Sequence, residues 1–257
     1  MPLNSDQRVQ DVFLSVSRCP NVQLCIETTA PHACREIVEY KQREQGSTGY
    51  DSFQLPEPWV GEIDRAPIMF VSSNPSIGDD DLANGSTSDQ LVWQSHHFAH
   101  GGGDRQYILD GIRTVTPDGS PLKAVRYWSW ALGRVRELIT HRAAVPGVDY
   151  AMTEIVHCKS RNENGVAEAA ATCTAKHMDN IMSVAAAEVF IVVGVFAQTW
   201  FLGKGIHVPT QPIMRSMGGR TRMVAFLSHP AAFGGLKTLA TRYSESDLQS
   251  LVSQCRK

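Results

Sequence analysis

The chain has 257 residues, 42% of them hydrophobic and 19% charged, with a formal net charge of -2 at pH 7. That balance excludes a disordered polymer, and the slight acid excess argues against a protein that coats nucleic acid over its whole surface, leaving local basic patches open. No apolar run reaches the roughly 18 to 20 residues of a membrane helix. The polar start Met1–Asp11 carries no secretory pattern, so a cytoplasmic, membrane-free protein is expected.

In chain order, a segment over residues 1–60 holds Cys19, Cys25 and Cys34 and precedes the first strand signal, Ile68–Ser72. That apolar run stops at Ser73-Asn74-Pro75-Ser76. The stretch 78–119 then breaks the rhythm with Asp79-Asp80-Asp81, Asn84-Gly85-Ser86 and Gly101-Gly102-Gly103, and reads as a long insertion over the strand ends, either functional or a surface decoration. The triple glycine has no Gly-Lys-Ser/Thr after it, so it is not a phosphate loop. Pro121–His141 shows apolar residues at Leu122, Val125, Trp128, Leu132, Val135 and Leu138, close to a helical period.

A second strand is expected over Met152–His157, an alanine-rich helix over Val166–Ala187 and a third strand over Val189–Val195. Gly218-Gly219-Arg220 marks a hairpin turn before the last strand, Met223–Ser228, which ends at His229-Pro230. A final helix over Glu245–Gln254 has Ser244 as its cap. Strand and helix alternate. This predicts one α/β domain over 1–257, a three-layer α/β/α sandwich around a four-stranded parallel sheet. Asn74 and His229 then sit on proline-stiffened turns at strand ends, where open α/β sheets place ligands. Each residue also has a plain structural reading, Asn74 as a turn former and His229 as a backbone-bonded strand end.

Four segments resemble one family in order and spacing. Ile68 to Ser76 looks like the first motif of the uracil-DNA glycosylase superfamily, and Ser228-His229-Pro230-Ala231-Ala232 is similar to its second. Thr153-Glu154-Ile155-Val156-His157-Cys158-Lys159-Ser160-Arg161-Asn162 resembles the Asn-Val-Val-Lys-Cys-Arg segment of the iron–sulfur branch. Val189–Gly194 resembles the strand before that branch's next helix. The similarity runs from about Pro67 to Leu236 and implies a monofunctional DNA glycosylase that hydrolyses the N-glycosidic bond of a deaminated base, with uracil the first choice.

Such chemistry extrudes the nucleotide, reads the base edge and stabilises the charge on the leaving base. The resemblance makes His229 the donor to that base and Asn74 the residue that positions water. Ser73 and Glu154 fall where the base is bound, and Trp93 and Phe98 are candidates for the stacking aromatic, with loop anchoring as the other reading of both. Glu154 departs from the pattern because an Asn stands there in the family. An ionised Glu only accepts hydrogen bonds, whereas uracil presents an acceptor beside a donor. Pairing with Lys159 or Arg161 is the plain alternative.

The resemblance also implies a 4Fe–4S cluster with ligands Cys25, Cys34, Cys158 and Cys173, and Cys19 or His32 as substitutes for Cys25. Zinc or buried free thiols remain the alternatives. Val189 to Ser244 contains no Asp or Glu but carries Lys204, Arg215, Arg220, Arg222, Lys237 and Arg242, so a basic face around the His229 turn is expected. DNA contacts are assigned to Ser76, Lys159, Arg220, Arg222, and to Ala231 and Phe233 as a wedge. The partner is DNA, single- or double-stranded, and the protein a monomer. Two rivals stand: a non-catalytic damage-binding module on the same fold, and a nucleoside or nucleotide hydrolase.

Overall fold

Runs of β-branched and aromatic residues with no polar alternation form strands covered on both faces. In a computed structural model, which describes residues 7–77, 108–109, 112–115 and 120–256, β1 (Ile68–Ser72) and β6 (Val189–Val193) are buried along their whole length. They lie within a five-stranded sheet of order β5-β1-β6-β8-β7, with β5 at Tyr150–Glu154, β7 at Ile213–Met217 and β8 at Arg220–Leu227. β1 pairs with β6 and β6 with β8 in parallel, whereas β7 pairs antiparallel with β8 across the Gly218–Gly219 turn. The protein is thus a mixed α/β fold with a mostly parallel sheet. The expected count of four strands is corrected to five because the predicted hairpin turn brings in its own edge strand.

The described residues divide into two compact units, each assembled from separated segments. The sheet unit comprises Val60–Ser72, His96–Met152 and Ala185–Lys257. Its core joins Ile68, Phe70, Val135, Leu138, Tyr150, Ile191, Leu227 and Leu251. Phe70 meets Trp130 and Tyr150 edge-on, both at 6.0 Å between ring centroids, the arrangement ring quadrupoles favour. Among the described residues this unit holds the helices α4 (Arg126–Leu138), α6 (Val195–Leu202), α7 (Leu239–Arg242) and α8 (Glu245–Gln254). Ser244 caps α8, its hydroxyl accepting from the Asp247 N–H while Asp247 reaches back to the Ser244 N–H.

A small antiparallel sheet, β2 (Ile108–Leu109), β3 (Arg113–Val115) and β4 (Pro121–Ala124), precedes α4. The start of the predicted helix at Pro121 is therefore a strand. Leu122 and Val125 fit a helical period, but a strand that begins on Pro needs no N–H from it, and α4 starts only at Arg126. The rest of the 78–119 stretch lies outside the described residues.

The helical unit comprises Met1–Trp59, Ser73–Ser95 and Thr153–Val184. α1 (Gln7–Ser17) buries Val9, Val12, Phe13 and Val16, one stripe at helical spacing, and packs on α5 (Val166–Val184). α2 (Pro20–Glu27) packs on α3 (Arg35–Gln45), and α3 on α5. Gly165 explains the last contact. It has φ +72, and a Cβ there would lie 2.4 Å from the Ile37 backbone nitrogen, so only glycine lets the start of α5 touch α3. No helix among the described residues is long and apolar enough to cross a membrane.

Candidate functional site

In the sheet unit, β8 delivers its carboxyl end into a loop held firmly at its base. The Leu227 carbonyl accepts from Gly194 N–H at 3.0 Å and from Gln198 Nε2 at 2.7 Å. The Ser228 N–H closes the loop on Leu236 O at 3.0 Å. One face of α4 grips the far side: Trp130 Nε1 and Arg134 Nη1 both donate to Lys237 O, at 2.8 and 3.0 Å, and the Glu137 carboxylate accepts from the Leu239 and Ala240 N–H groups at 2.7 and 3.1 Å. Arg134 pairs with Glu137 at 2.7 Å.

His229 stands at the start of this loop with its ring exposed. The Ala231 N–H donates to its Nδ1 at 3.2 Å. A nitrogen that accepts has no proton, so in the neutral ring the hydrogen is on Nε2. Tyr127, from the first turn of α4, stacks on the ring with 5.9 Å between centroids and 20° between planes. At the loop's tip Phe233 is 107% exposed, a full aromatic with no cover, and Gly234 and Gly235 follow with φ +65 and +73.

Tyr127, Trp130, Arg134 and Glu137 do not appear among the sequence candidates. Their spacing of three, four and three residues, which puts them on one helix face, was the available signal.

In the helical unit, the loop after β1 is sewn to the exit of β5. Val156 N–H donates to Ser73 O at 2.9 Å and Ser160 N–H to Pro75 O at 3.1 Å. Asn74 Nδ2 donates to Pro75 O at 2.9 Å and to Ser160 O at 3.2 Å. Both amide protons are thereby engaged, which turns Oδ1 into the group this side chain presents as an acceptor. Ser73 and Asn74 are half-buried and Ser76 is exposed.

Glu154 ends β5 and keeps part of its surface accessible. Enough protein surrounds the carboxyl that burial pushes it up to about 8, with Glu57 adding like-charge repulsion and Lys159 opposing. Lys159 is only 6% exposed and pairs with Glu57 at 2.8 Å. This corrects its expected role on DNA: the ammonium is spent on an internal ion pair.

The basic face is likewise thinner than the sequence suggests. Arg222 is fully buried, donating to Ala185 O at 2.6 Å and lying 5.1 Å from the Phe190 ring centroid, and a buried guanidinium cannot meet a phosphate. Its place in an eight-residue strand turns it inward. Arg220 is exposed but pairs with Glu188 at 2.5 Å, and Arg242 donates to Pro209 O at 2.5 Å. Lys204 and Arg215 remain exposed and Lys237 half-buried, without an ion pair among the described residues. Ala231 is exposed beside Phe233. Trp93 and Phe98 lie outside the described residues.

Five of the six cysteines belong to the helical unit, and all six are buried free thiols. Cys158 lies within electrostatic reach of Cys173, Cys19, Cys34 and Cys25, and each would oppose its ionisation. Burial dominates throughout, pushing Cys34 and Cys173 up to about 12. His177 Nε2 contacts Cys19 Sγ at 3.2 Å and His32 Nδ1 contacts Cys25 Sγ at 3.5 Å. Among the described residues no three His, Cys, Asp or Glu converge as a single ion requires. Cys255 sits apart in the core of the sheet unit. No family model matches this chain, and no curated protein matches it.

Proposed function

We propose that the protein is a monofunctional DNA glycosylase that removes a deaminated base, uracil in the first instance, acting as a monomer on an α/β/α sandwich of the uracil-DNA glycosylase type. The observation that carries this reading is the His229 loop. His229 Nδ1 accepts from the Ala231 N–H, which leaves Nε2 as the nitrogen that carries the ring's proton when the imidazole is neutral. The ring is backed by Tyr127 and followed after four residues by a bare aromatic. A donor held in advance where an oxyanion develops, on a turn whose base is fixed by five backbone-directed bonds or more, supplies electrostatic stabilisation without reorganisation, an effect of roughly 3 to 4 kcal/mol when one such donor is removed. Phe233 has the exposure of a wedge that fills the place of an extruded base.

Asn74 serves as the water-positioning group through Oδ1. An amide is a poor base, so its part is orientation. Lys204, Arg215 and Lys237, with Ser76, supply the phosphate contacts, an affinity that falls with salt.

A 4Fe–4S cluster fits the donor set. The helical unit gathers five buried thiols, and burial with the neighbouring cysteines opposes ionisation of Cys158; bound iron would offset that cost by stabilising thiolates. Cys34, Cys158 and Cys173 with Cys25 or Cys19 would hold the cluster, and it would supply a structural tie between α2, α3 and α5.

Release of uracil from single- and double-stranded oligonucleotides tests the proposal, with His229→Ala and Asn74→Ala beside the wild type. Binding to uracil or abasic DNA without release would make the protein a damage-binding module. Release from free nucleosides but not DNA would make it a nucleoside hydrolase.

A further inference from the structure

The last residue of β5 is an acid whose carboxyl has no hydrogen-bond or ion-pair partner among the described residues. Thr153 Oγ1 donates to Pro58 O at 2.7 Å, the Glu57 N–H donates to His157 O at 2.9 Å, and the segment 57–58 therefore runs along both flanks of Glu154. The nearest cation is taken, since Lys159 pairs with Glu57. His157, on the same exit loop, is buried and donates from Nδ1 to Glu57 O at 3.1 Å. Glu154 nonetheless keeps accessible surface. The same exit loop is tied to Ser73, Asn74 and Pro75 by three hydrogen bonds, one to each. A partly accessible carboxyl near a second carboxylate and its lysine, on a strand whose exit loop is bonded to a candidate water-positioning group, is placed to meet something from outside.

We propose that Glu154 reads the excised base as a neutral carboxylic acid, pairing with a lactam edge in which a carbonyl lies next to an N–H. The inference rests on the glycosylase reading and names its substrate class: bases such as uracil or hypoxanthine that carry this edge after deamination. A protonated carboxyl has one donor and one acceptor on adjacent atoms, as an amide does, while a carboxylate has two acceptors and repels the base carbonyl. The proton that makes the difference is retained at neutral pH because burial and the Glu57 charge raise the carboxyl to about 8 against the opposing Lys159. The Glu that breaks the family pattern thus does the work of an amide, at the cost of a pH limit.

The test is the pH dependence of kcat/KM for uracil release from a single-stranded oligonucleotide, from about pH 6 to about pH 9.5, for the wild type and Glu154→Gln. The wild type is expected to lose about tenfold per unit above its break near the carboxyl's titration. Glu154→Gln keeps a donor and an acceptor, so it retains activity within about tenfold at neutral pH and loses the break. The same break in the variant, or a rate that rises with pH and disappears in the variant as a general base requires, overturns the proposal. A wild type that releases no base at any pH overturns the glycosylase reading instead. The carboxyl is then judged by fluorescence anisotropy with an oligonucleotide carrying non-hydrolysable 2′-fluoro-uridine. Affinity that weakens at high pH in the wild type alone supports it, and equal pH dependence in the variant refutes it.

Discussion

Tyr127 lies flat against His229, 5.9 Å between ring centroids and 20° from parallel, at the point where the last parallel strand leaves the sheet. Stacking restricts the ring's rotation while the Ala231 N–H selects its tautomer, so two neighbours from different elements define one donor direction. Tyr127 is a positioning residue in this scheme. Tyr127→Leu is expected to lower kcat for base release about tenfold with KM little changed, and Tyr127→Phe to restore it, because the flat ring and not the hydroxyl does the stacking. Single-turnover rates for the two variants check this, and an equally impaired Tyr127→Phe would refute it.

Phe233 contributes nothing to the packed core at 107% exposure, so Phe233→Ala should leave the thermal midpoint within about 1 °C of wild type. Release from double-stranded DNA should fall about tenfold or more, while release from single strands, where no stacked partner needs replacing, changes little. Parallel assays on the two substrates decide it.

Asn74→Asp exchanges an NH2 that donates to Pro75 O and Ser160 O for an oxygen that faces two carbonyls. Loss of two donors plus like-dipole repulsion is expected to cost on the order of 2 kcal/mol in stability. Activity should fall despite the added basicity, because the carboxylate turns away from its present position. Chemical denaturation and the release assay measure the two effects.

Removing a cluster ligand and removing an unrelated thiol should separate cleanly. Cys34→Ala, Cys158→Ala and Cys173→Ala should each abolish the absorbance shoulder near about 400 nm and lower the thermal midpoint. Cys255→Ala, in the core of the sheet unit, should keep the shoulder and cost only about 1 kcal/mol of packing. Testing Cys19→Ala beside Cys25→Ala identifies the fourth ligand. Absence of the shoulder in anaerobically purified wild type would remove the cluster from the proposal.

Glu154 also makes stability depend on pH. Its folded carboxyl is raised above the ordinary value of 4.5, to about 8. The stability of the neutral form is fully present below about 4.5 and is lost as pH rises toward 8, because the unfolded chain gives up the proton first. Glu154→Gln has no proton to lose. Its thermal midpoint should match or trail the wild type at about pH 4.5 and gain on it steadily up to about pH 8.5. Scanning calorimetry across that range shows the crossing or its absence.

Much of the sheet was legible because its strands are locally self-declaring. Ile68–Ser72 matched its expected bounds and Val189–Val193 ended two residues early, since uninterrupted apolar runs of that length suit a strand buried on both faces. Ser244 and Asp247 announced the last helix by chemistry that is local to one turn. The failures share a different cause. Leu122 and Val125 fitted a helical period, yet β3 offered a strand partner that the local pattern could not reveal. Arg222 looked like part of a basic face, but strand alternation and the Phe190 ring turned it inward. Lys159 looked equally available until Glu57, about a hundred residues earlier, claimed it.

By itself the sequence determined the strand runs, the two proline-stiffened turns at Asn74 and His229, and the gathering of basic residues after Val189, all properties written within a few neighbouring positions. Only the tertiary structure decided that Tyr127 backs His229, that Asn74 spends its amide protons on Ser160 and Pro75, that five cysteines share one unit while Cys255 does not, and that burial raises the Glu154 carboxyl. Those are consequences of burial and of partners distant along the chain, and the energy of a charge or a donor is set by what surrounds it in space.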